Sequence, residues 1–228
     1  MAAGRGSRMK SSIQKQYMEL KGYPVLYYSL RAFEESIVDD IILVVGKDEI
    51  DYCKKDIVDK YGFTKVKKII AGGSERYLSV YNAIESIKDQ GYERILVHDG
   101  ARPLITQEII MRCIEGIDSY DACVAAMPVK DTIKVSDENE WAIHTPNRSS
   151  LYLIQTPQAF DANLIIEAYE KLNNRLQAGE QLAITDDAMV VETCMNREVK
   201  LIEGDYKNIK ITTPEDIGVA EVFLKYLS

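Results

Sequence analysis

The chain has 228 residues, of which 46% are apolar and 28% charged, and its formal net charge is −8. This length suits one α/β domain with a substantial core, and the composition excludes a fibrous or largely disordered chain. The negative charge argues against nucleic acid or an anionic membrane as a partner, because both require a basic surface. Since no apolar run reaches about 18 residues and no signal segment opens the sequence, we predict one cytoplasmic domain over residues 1–228.

The first predicted feature is a glycine-rich loop that carries two cations. Residues 2–8 read AAGRGSR, and Lys15 follows seven positions after Arg8. Backbone N–H groups of such a loop can surround phosphate oxygens, and fixed cations stabilise the charge that develops during phosphoryl transfer. The alternative is an ordinary surface loop. In a βα architecture the loop should follow a strand, yet only Met1 precedes it in this sequence.

Short β-branched runs then alternate with amphipathic stretches along the chain. Because these runs are almost continuously apolar or enriched in β-branched residues, we predict the strands 41–46, 66–70, 95–98, 122–127 and 208–212. Apolar spacing and capping residues predict helices at 25–35, at 76–88, and after the N-caps Thr106, Asp161 and Thr213. This alternation is typical of an α/β fold with a mostly parallel twisted sheet flanked by helices.

Residues 129–148 interrupt the alternation with two short β-like pieces, TIKV and WAIH, that an acidic turn joins. We predict a protruding β-arm here. A hairpin that leaves a compact core exposes its apolar side chains, including Trp141, so the arm is a candidate dimer contact. The alternative is a hairpin that folds back on its own sheet.

The predicted strand 95–98 runs directly into Asp99, Gly100 and Arg102. Open α/β sheets bind ligands at the carboxyl ends of their strands, so these side chains are candidates for a binding site. Asp99 suits Mg²⁺, which usually takes one or two carboxylates together with substrate phosphates. The alternative is a turn in which Asp before Gly serves the backbone only.

Two other polar segments are weaker signals. The segment 72–76, GGSER, offers glycine backbone and a cation, or is a simple capped turn, and Lys210 either reaches inward or protects an edge strand. Other chemistries lack their motifs: we find no G-x-S-x-G elbow, no G-x-x-x-x-G-K-[ST], and no third glycine of the fingerprint of nicotinamide-dependent oxidoreductases.

Taken together, the segments resemble the 2-C-methyl-D-erythritol 4-phosphate cytidylyltransferases over essentially the whole chain. They occur in order as AAGRGSRM, KQY, GGSERYLSV, HDGARPL, VKDTIK, RSSLYLIQTPQAF, TDDAMVVE and NIKIT followed by PED. The resemblance implies a Rossmann-like nucleotidyltransferase fold. It also implies transfer of CMP from CTP to 2-C-methyl-D-erythritol 4-phosphate, with release of pyrophosphate, in isoprenoid precursor biosynthesis.

The resemblance further implies roles for individual residues. Arg8, Lys15 and Lys210 would stabilise the transition state, Asp99 would bind Mg²⁺, and Arg102 would support the pocket. The residues implied for CTP are Ala2, Ala3, Gly4, Gly73, Ser74, Ser79 and Gly100. Those implied for methylerythritol phosphate are Thr132 and Arg148, reaching across a homodimer from the arm, and Thr156.

Two positions depart from the family pattern. Gln14 stands where proline usually precedes the lysine of KQY, which predicts a more mobile loop, and Gly100 replaces a more usual alanine. A ribitol-5-phosphate cytidylyltransferase is one alternative, because its CTP site would look alike, although VKDTIK and HDGARPL favour the methylerythritol enzymes. A nucleotide-binding module without catalysis is another, against which the joint presence of Arg8, Lys15, Asp99 and Lys210 argues.

Overall fold

The computed structural model describes residues 1–4 and 14–226. Its strands are β1 Glu19–Leu20, β2 Tyr23–Pro24, β3 Ile41–Val45, β4 Val66–Ala71, β5 Arg94–Val97, β6 Ala122–Pro128, β7 Val135–Ser136, β8 Ala142–His144, β9 Tyr152–Asp161 and β10 Lys200–Glu203. Its helices are α1 Val25–Glu34, α2 Ile50–Tyr52, α3 Arg76–Glu85, α4 Gln107–Tyr120, α5 Ala162–Gln177, α6 Asp187–Met195 and α7 Glu215–Leu224, with a π-helical stretch at Cys53–Asp59. Within the described ranges, no helix combines the length and apolar character needed to cross a membrane.

The predicted core elements are confirmed, and two predictions near the end of the chain are wrong. Residues 208–212 form no strand; Ile211 instead donates its N–H to the carbonyl of Ala101 at 2.8 Å, so this segment lies along the loop after β5. Thr213 is not the N-cap of the last helix, because α7 begins after Pro214 and the Asp216 carboxylate accepts the Thr213 N–H at 2.8 Å. Thr213 precedes the N-cap Pro214, and the Asp216 carboxylate accepts an N–H before the helix, as the acid of a capping box does.

Only one of the two remaining predicted caps works through its side chain. Asp161 accepts the N–H of Leu164 at 3.0 Å and so caps α5 as predicted. Thr106 occupies the N-cap position of α4, but its hydroxyl makes no capping hydrogen bond to the helix. The start of α4 was therefore predictable, while the predicted interaction at that start is absent.

The α/β fold class is confirmed, with a sheet that is more mixed than the sequence predicts. The four-stranded sheet has the order β10-β6-β9-β5, and β3 pairs with β4 beside it. The pair β10 and β6 is parallel, and so is the pair β3 and β4. β9 is antiparallel to both of its neighbours, β6 and β5. The chain leaves β6, forms the arm and returns directly as β9, and a strand that returns in this way pairs antiparallel.

Apolar clusters cover both faces of the four-stranded sheet. Neighbouring side chains of a strand point to opposite faces, and Ala159 and Phe160 of β9 accordingly belong to different clusters. Ala159 packs with Ile109 and other side chains of α4, while Phe160 packs with Tyr169 of α5. Both faces of the sheet are therefore buried.

The first residues of the sequence bridge the two sheets. Ala2 donates its N–H to Val44 in β3 at 2.7 Å, and Met1 accepts the N–H of Gly100, just after β5, at 2.8 Å. An apolar cavity of about 170 Å³ separates β3 from β5 beside this bridge, with side chains of α1 and α3 in its walls. The glycine-rich segment consequently starts at the edge where β3, β4 and β5 end.

Residues of the predicted arm form the hairpin β7–β8. Trp141 is 75% exposed and Ile143 63% exposed. These side chains therefore do not pack on the sheet of their own chain, which is the alternative that the sequence left open.

Candidate active site

A cavity of about 510 Å³ lies at the carboxyl ends of β4 and β5. It brings together predicted site residues from four distant segments, namely Ala2, Ala3, Gly4, Lys15, Gly73, Ser74, Ser79, Asp99 and Lys210. Parallel strands end at the same edge of a sheet, which explains why loops far apart in sequence meet here. This cavity is the candidate active site.

Asp99 is the carboxylate around which the cations of the site are arranged. Its Oδ2 lies 2.7 Å from Nζ of Lys210 and 3.9 Å from Nε of Arg102, and its Oδ1 lies 3.8 Å from Nε of Arg76. Burial disfavours the charged form of Asp99, but these cations outweigh it and hold the pKa of the carboxyl well below its usual value. Asp99 is therefore ionised at neutral pH.

Lys210 is held beside Asp99 by contacts between its segment and the loop after β5. Nη1 of Arg102 donates to the carbonyl of Asn208 at 2.7 Å, and Ile211 donates to the carbonyl of Ala101 at 2.8 Å. Arg102 does not line the cavity, and its contact with Asn208 holds the segment of Lys210 against the loop after β5.

Arg76 is a cation of the cavity wall that our predicted site did not include. Nη1 and Nη2 of Arg76 donate to Oδ1 and Oδ2 of Asp187 at 2.8 and 2.6 Å, and Asp187 is 0% exposed. The hydroxyl of Tyr169 also donates to Asp187 at 2.6 Å, while Gln158 accepts the backbone N–H of Asp187 at 2.9 Å. A buried carboxylate with this many donors fixes the guanidinium in one orientation, so that its Nε faces Asp99.

Thr156, predicted for the second substrate, is buried behind Asp99 and does not line the cavity. Its Oγ1 accepts the N–H of Asp99 at 3.1 Å and lies 3.0 Å from Nδ1 of His98. Burial lowers the pKa of His98 to about 3, so the ring is neutral. Nε2 of His98 lies 3.2 Å from the carbonyl of Arg102, which can only accept, so Nδ1 accepts the Thr156 hydroxyl proton. Thr156 thus orients the Asp99 loop.

The glycine loop after β4 is shaped by Ser79. Its Oγ accepts the N–H of Gly73 and donates to the carbonyl of Glu75, both at 3.0 Å. A Cβ at position 73 would lie 2.5 Å from Cβ of Leu78, so only glycine allows this close approach. The hydroxyl of Ser74 does not cap α3, whose N-cap is Glu75.

Three other predicted residues, Gly100, Thr132 and Arg148, do not line the cavity. Gly100 packs against α1, where an added Cβ would lie 2.8 Å from Cδ1 of Leu26. Thr132 and Arg148 are exposed on and beside the arm, and Arg148 donates to the carbonyl of Lys130 at 3.0 Å. Arg8 lies outside the described residues.

The arrangement favours binding of an anion and transfer without a protein nucleophile. Arg76 and Lys210 supply positive charge beside the Asp99 carboxylate, and Lys15 lines the same cavity, next to backbone N–H groups of glycine-containing segments. Among the described residues that line the cavity there is no cysteine or histidine, and Ser79 uses its hydroxyl for the loop. The chemistry best suited to such a site is electrostatic stabilisation of a reacting phosphate.

Comparisons with known proteins agree with this chemistry. The family model described as IspD, 2-C-methyl-D-erythritol 4-phosphate cytidylyltransferase, matches residues 1–226. A protein of that description from Lachnoclostridium phytofermentans is 53% identical over 226 residues, which are 99% of this chain and 94% of the relative. One from Lachnospira eligens is also 53% identical, with 99% of this chain and 97% of the relative covered.

Solved structures are similar over almost the same span. The 4-diphosphocytidyl-2C-methyl-D-erythritol synthase of Anaerococcus prevotii aligns with a TM-score of 0.81 and 36% identity, covering 96% of this chain and 93% of that protein. The 2-C-methyl-D-erythritol 4-phosphate cytidylyltransferase of Thermus thermophilus aligns with a TM-score of 0.74 and 26% identity, covering 92% and 94%. These similarities confirm the fold that the sequence motifs imply.

Proposed function

The chain belongs to the 2-C-methyl-D-erythritol 4-phosphate cytidylyltransferases, and from this premise we propose that its reaction takes place in the cavity around Asp99. It transfers CMP from CTP to 2-C-methyl-D-erythritol 4-phosphate and releases pyrophosphate, in isoprenoid biosynthesis. The observation that carries the proposal is the convergence of Lys15, Asp99 and Lys210 with the glycine-containing segments in one cavity.

Asp99 fits Mg²⁺ as a single protein carboxylate. Within the part of the chain that is described, no group of three or more His, Cys, Asp or Glu residues could hold a metal ion. We propose that Asp99 would hold Mg²⁺ together with oxygens of the substrate, which is a usual arrangement for this ion. When bound, the ion would neutralise triphosphate charge.

The nucleophile of the reaction is the phosphate of the acceptor substrate. One of its oxygens attacks the α-phosphorus of CTP as the bond to the β-phosphate oxygen breaks, so that pyrophosphate leaves. Lys15 and Lys210 would stabilise the charge on the oxygens of the reacting phosphorus, and Arg8 would join them from its loop. The N–H groups of Ala3, Gly4 and Ser74 would hold CTP. The segments that carry these groups would be shaped by Ala2, Gly73, Ser79 and Gly100.

This function is tested by incubating the purified chain with CTP, Mg²⁺ and one of two acceptor phosphates. We expect pyrophosphate release with 2-C-methyl-D-erythritol 4-phosphate and only background release with ribitol 5-phosphate. Release with ribitol 5-phosphate alone would assign a different acceptor to the same chemistry. Absence of release with both, from folded protein, would indicate a nucleotide-binding module.

We also propose that the arm of a second copy completes the acceptor site. Thr132 and Arg148 do not line the cavity of their own chain, and both are exposed. The arm also exposes Val135, Trp141 and Ile143 to solvent, which a second copy would bury. A homodimer would thereby explain both the exposed apolar side chains and the position of the two polar residues.

Changing Trp141→Glu should disrupt this homodimer, because the new charge would be buried against the partner. We expect a shift to monomer in sedimentation velocity and a raised KM for methylerythritol phosphate, with CTP binding largely retained. Ile37→Glu is the matched control, since Ile37 is 62% exposed and lies outside the arm. A wild-type monomer, or a Trp141→Glu dimer with unchanged KM, would overturn the proposed role of the arm.

A further inference from the structure

One carboxylate outside the cavity contacts residues on both sides of Lys15. Glu49 lies on the short turn Lys47–Glu49 after β3 and does not line the cavity. Its Oε1 accepts the side-chain amide of Gln14, and its Oε2 accepts the hydroxyl of Tyr17 at 2.7 Å and the N–H of Gly46 at 2.9 Å. Gln14 and Tyr17 flank the segment that presents Lys15 to the cavity.

The segment that carries Lys15 depends on such tertiary contacts for its orientation. Lys15–Tyr17 is a single 3₁₀ turn without a side-chain cap, and so short a turn has little stability of its own. Gln16, which is 2% exposed, donates to the carbonyl of Ala2 at 2.7 Å and fixes one side of the turn. Glu49 fixes the other side.

The backbone conformation of Gln14 is one that the Glu49 carboxylate helps to maintain. Gln14 has φ −67° and ψ 143°, which is the extended conformation that a proline ring would impose. Glutamine can leave this conformation freely, whereas a proline ring would hold its φ. The contact between Gln14 and Glu49 supplies the restraint that the ring would otherwise provide.

We propose that Glu49 is a positioning residue that holds Lys15 toward the reacting phosphate through Gln14 and Tyr17. The proposal rests on the proposed function of Lys15 in the cavity and adds a residue that touches neither substrate. It replaces the expectation of a more mobile loop at Gln14 with a loop that is restrained by a side-chain contact.

Two variants weaken the contact in different ways. Glu49→Gln leaves one oxygen to accept three donors, and we expect kcat to fall about tenfold with the KM of both substrates near wild type. Gly46→Ala keeps the carboxylate but displaces it, because an added Cβ would lie 2.8 Å from Cδ of Glu49. Its backbone φ of −59° accommodates alanine, so we expect the same loss of kcat without unfolding.

Asp48→Asn is the matched control, since Asp48 is an exposed acid on the same turn and should leave kcat unchanged. Gln14→Pro added to Glu49→Gln should restore much of the lost kcat, because proline fixes the observed φ. If Glu49 only stabilised the fold, Glu49→Gln would lower the melting temperature, and proline at position 14 would not rescue the rate.

A double-mutant cycle with Lys15→Ala decides whether Glu49 acts through Lys15. We expect Glu49→Gln to cost nothing further in kcat once Lys15 is alanine. The positioning role is wrong if Lys15→Ala is inactive while Glu49→Gln and Gly46→Ala both have the wild-type kcat. It is also wrong if the losses of kcat in Lys15→Ala and Glu49→Gln multiply in the double variant. If Lys15→Ala itself keeps full activity, the proposed function of Lys15 fails first and the positioning role fails with it.

Discussion

Replacing Lys15 with alanine should lower kcat by roughly 10² to 10³, the usual cost of removing one preorganised charge from a transition state. Lys15 lines the cavity with Asp99 and Lys210 and belongs to a short turn whose buried contacts come from Gln16. Truncating Lys15 removes the cation and leaves the buried contact between Gln16 and Ala2 in place. Initial rates of pyrophosphate release, measured over ranges of both substrates, will separate kcat from KM.

The matched control for Lys15 is a lysine with a surface ion pair. Nζ of Lys21 lies 3.7 Å from Glu221, and such exposed pairs contribute little to stability. Lys21→Ala should keep the wild-type kcat, while Lys15→Arg, which retains the charge with a different shape, should give an intermediate rate. A Lys15→Ala enzyme with the wild-type kcat would exclude Lys15 from the chemical step.

The core elements were predictable because the secondary structure that their residues favour locally is also the one that the packing of the fold requires. The run 41–46 is apolar throughout, as a strand buried on both faces must be, and it forms β3. β9 was not among the predicted strands, and its direction depends on how the chain returns from the arm. The segment 208–212 has strand-like residues, yet it pairs through Ile211 with the loop after β5.

The site was predictable where it follows from strand ends and was missed where it depends on distant contacts. Asp99 and Gly73 lie two residues after the ends of β5 and β4, and the sequence pattern indicated both as candidates before the family resemblance gave them roles. Arg76 and Asp187 are 111 residues apart, and only the folded chain shows that they pair. Both lie in segments that carry the family resemblance, GGSER and TDDA, which was the available signal.

The second large effect is expected for Asp99→Asn, which should lower kcat about 10³-fold or more at ordinary Mg²⁺ concentrations. The change removes the proposed metal ligand and leaves Lys210, Arg76 and Arg102 without the carboxylate between them. Removal of one partner from a buried ion pair also destabilises a protein, so circular dichroism must show that the variant is folded. Asp99→Glu keeps the charge and serves as a second variant.

The pH dependence of stability shows in which pH range the charge of Asp99 changes. Because the pKa of Asp99 is lower in the folded chain than in the unfolded chain, its ion pairs stabilise the fold fully above the unfolded value of about 4. This stability is lost as the pH falls through the folded pKa. Any change in the wild-type rate between about pH 6 and 9 therefore has another origin, and the comparison of variants can be made at neutral pH.

The most direct measurement is the rate of pyrophosphate release from CTP and 2-C-methyl-D-erythritol 4-phosphate as Mg²⁺ is titrated. Asp205→Asn is the control, because Asp205 does not line the cavity and its carboxylate accepts the N–H of Lys207 at 2.8 Å. We expect no release in EDTA, saturation with Mg²⁺ for wild type and Asp205→Asn, and a weak response without recovery of the maximal rate for Asp99→Asn. An Asp99→Asn enzyme with the wild-type maximal rate and Mg²⁺ dependence would contradict the assignment of the reaction to this cavity.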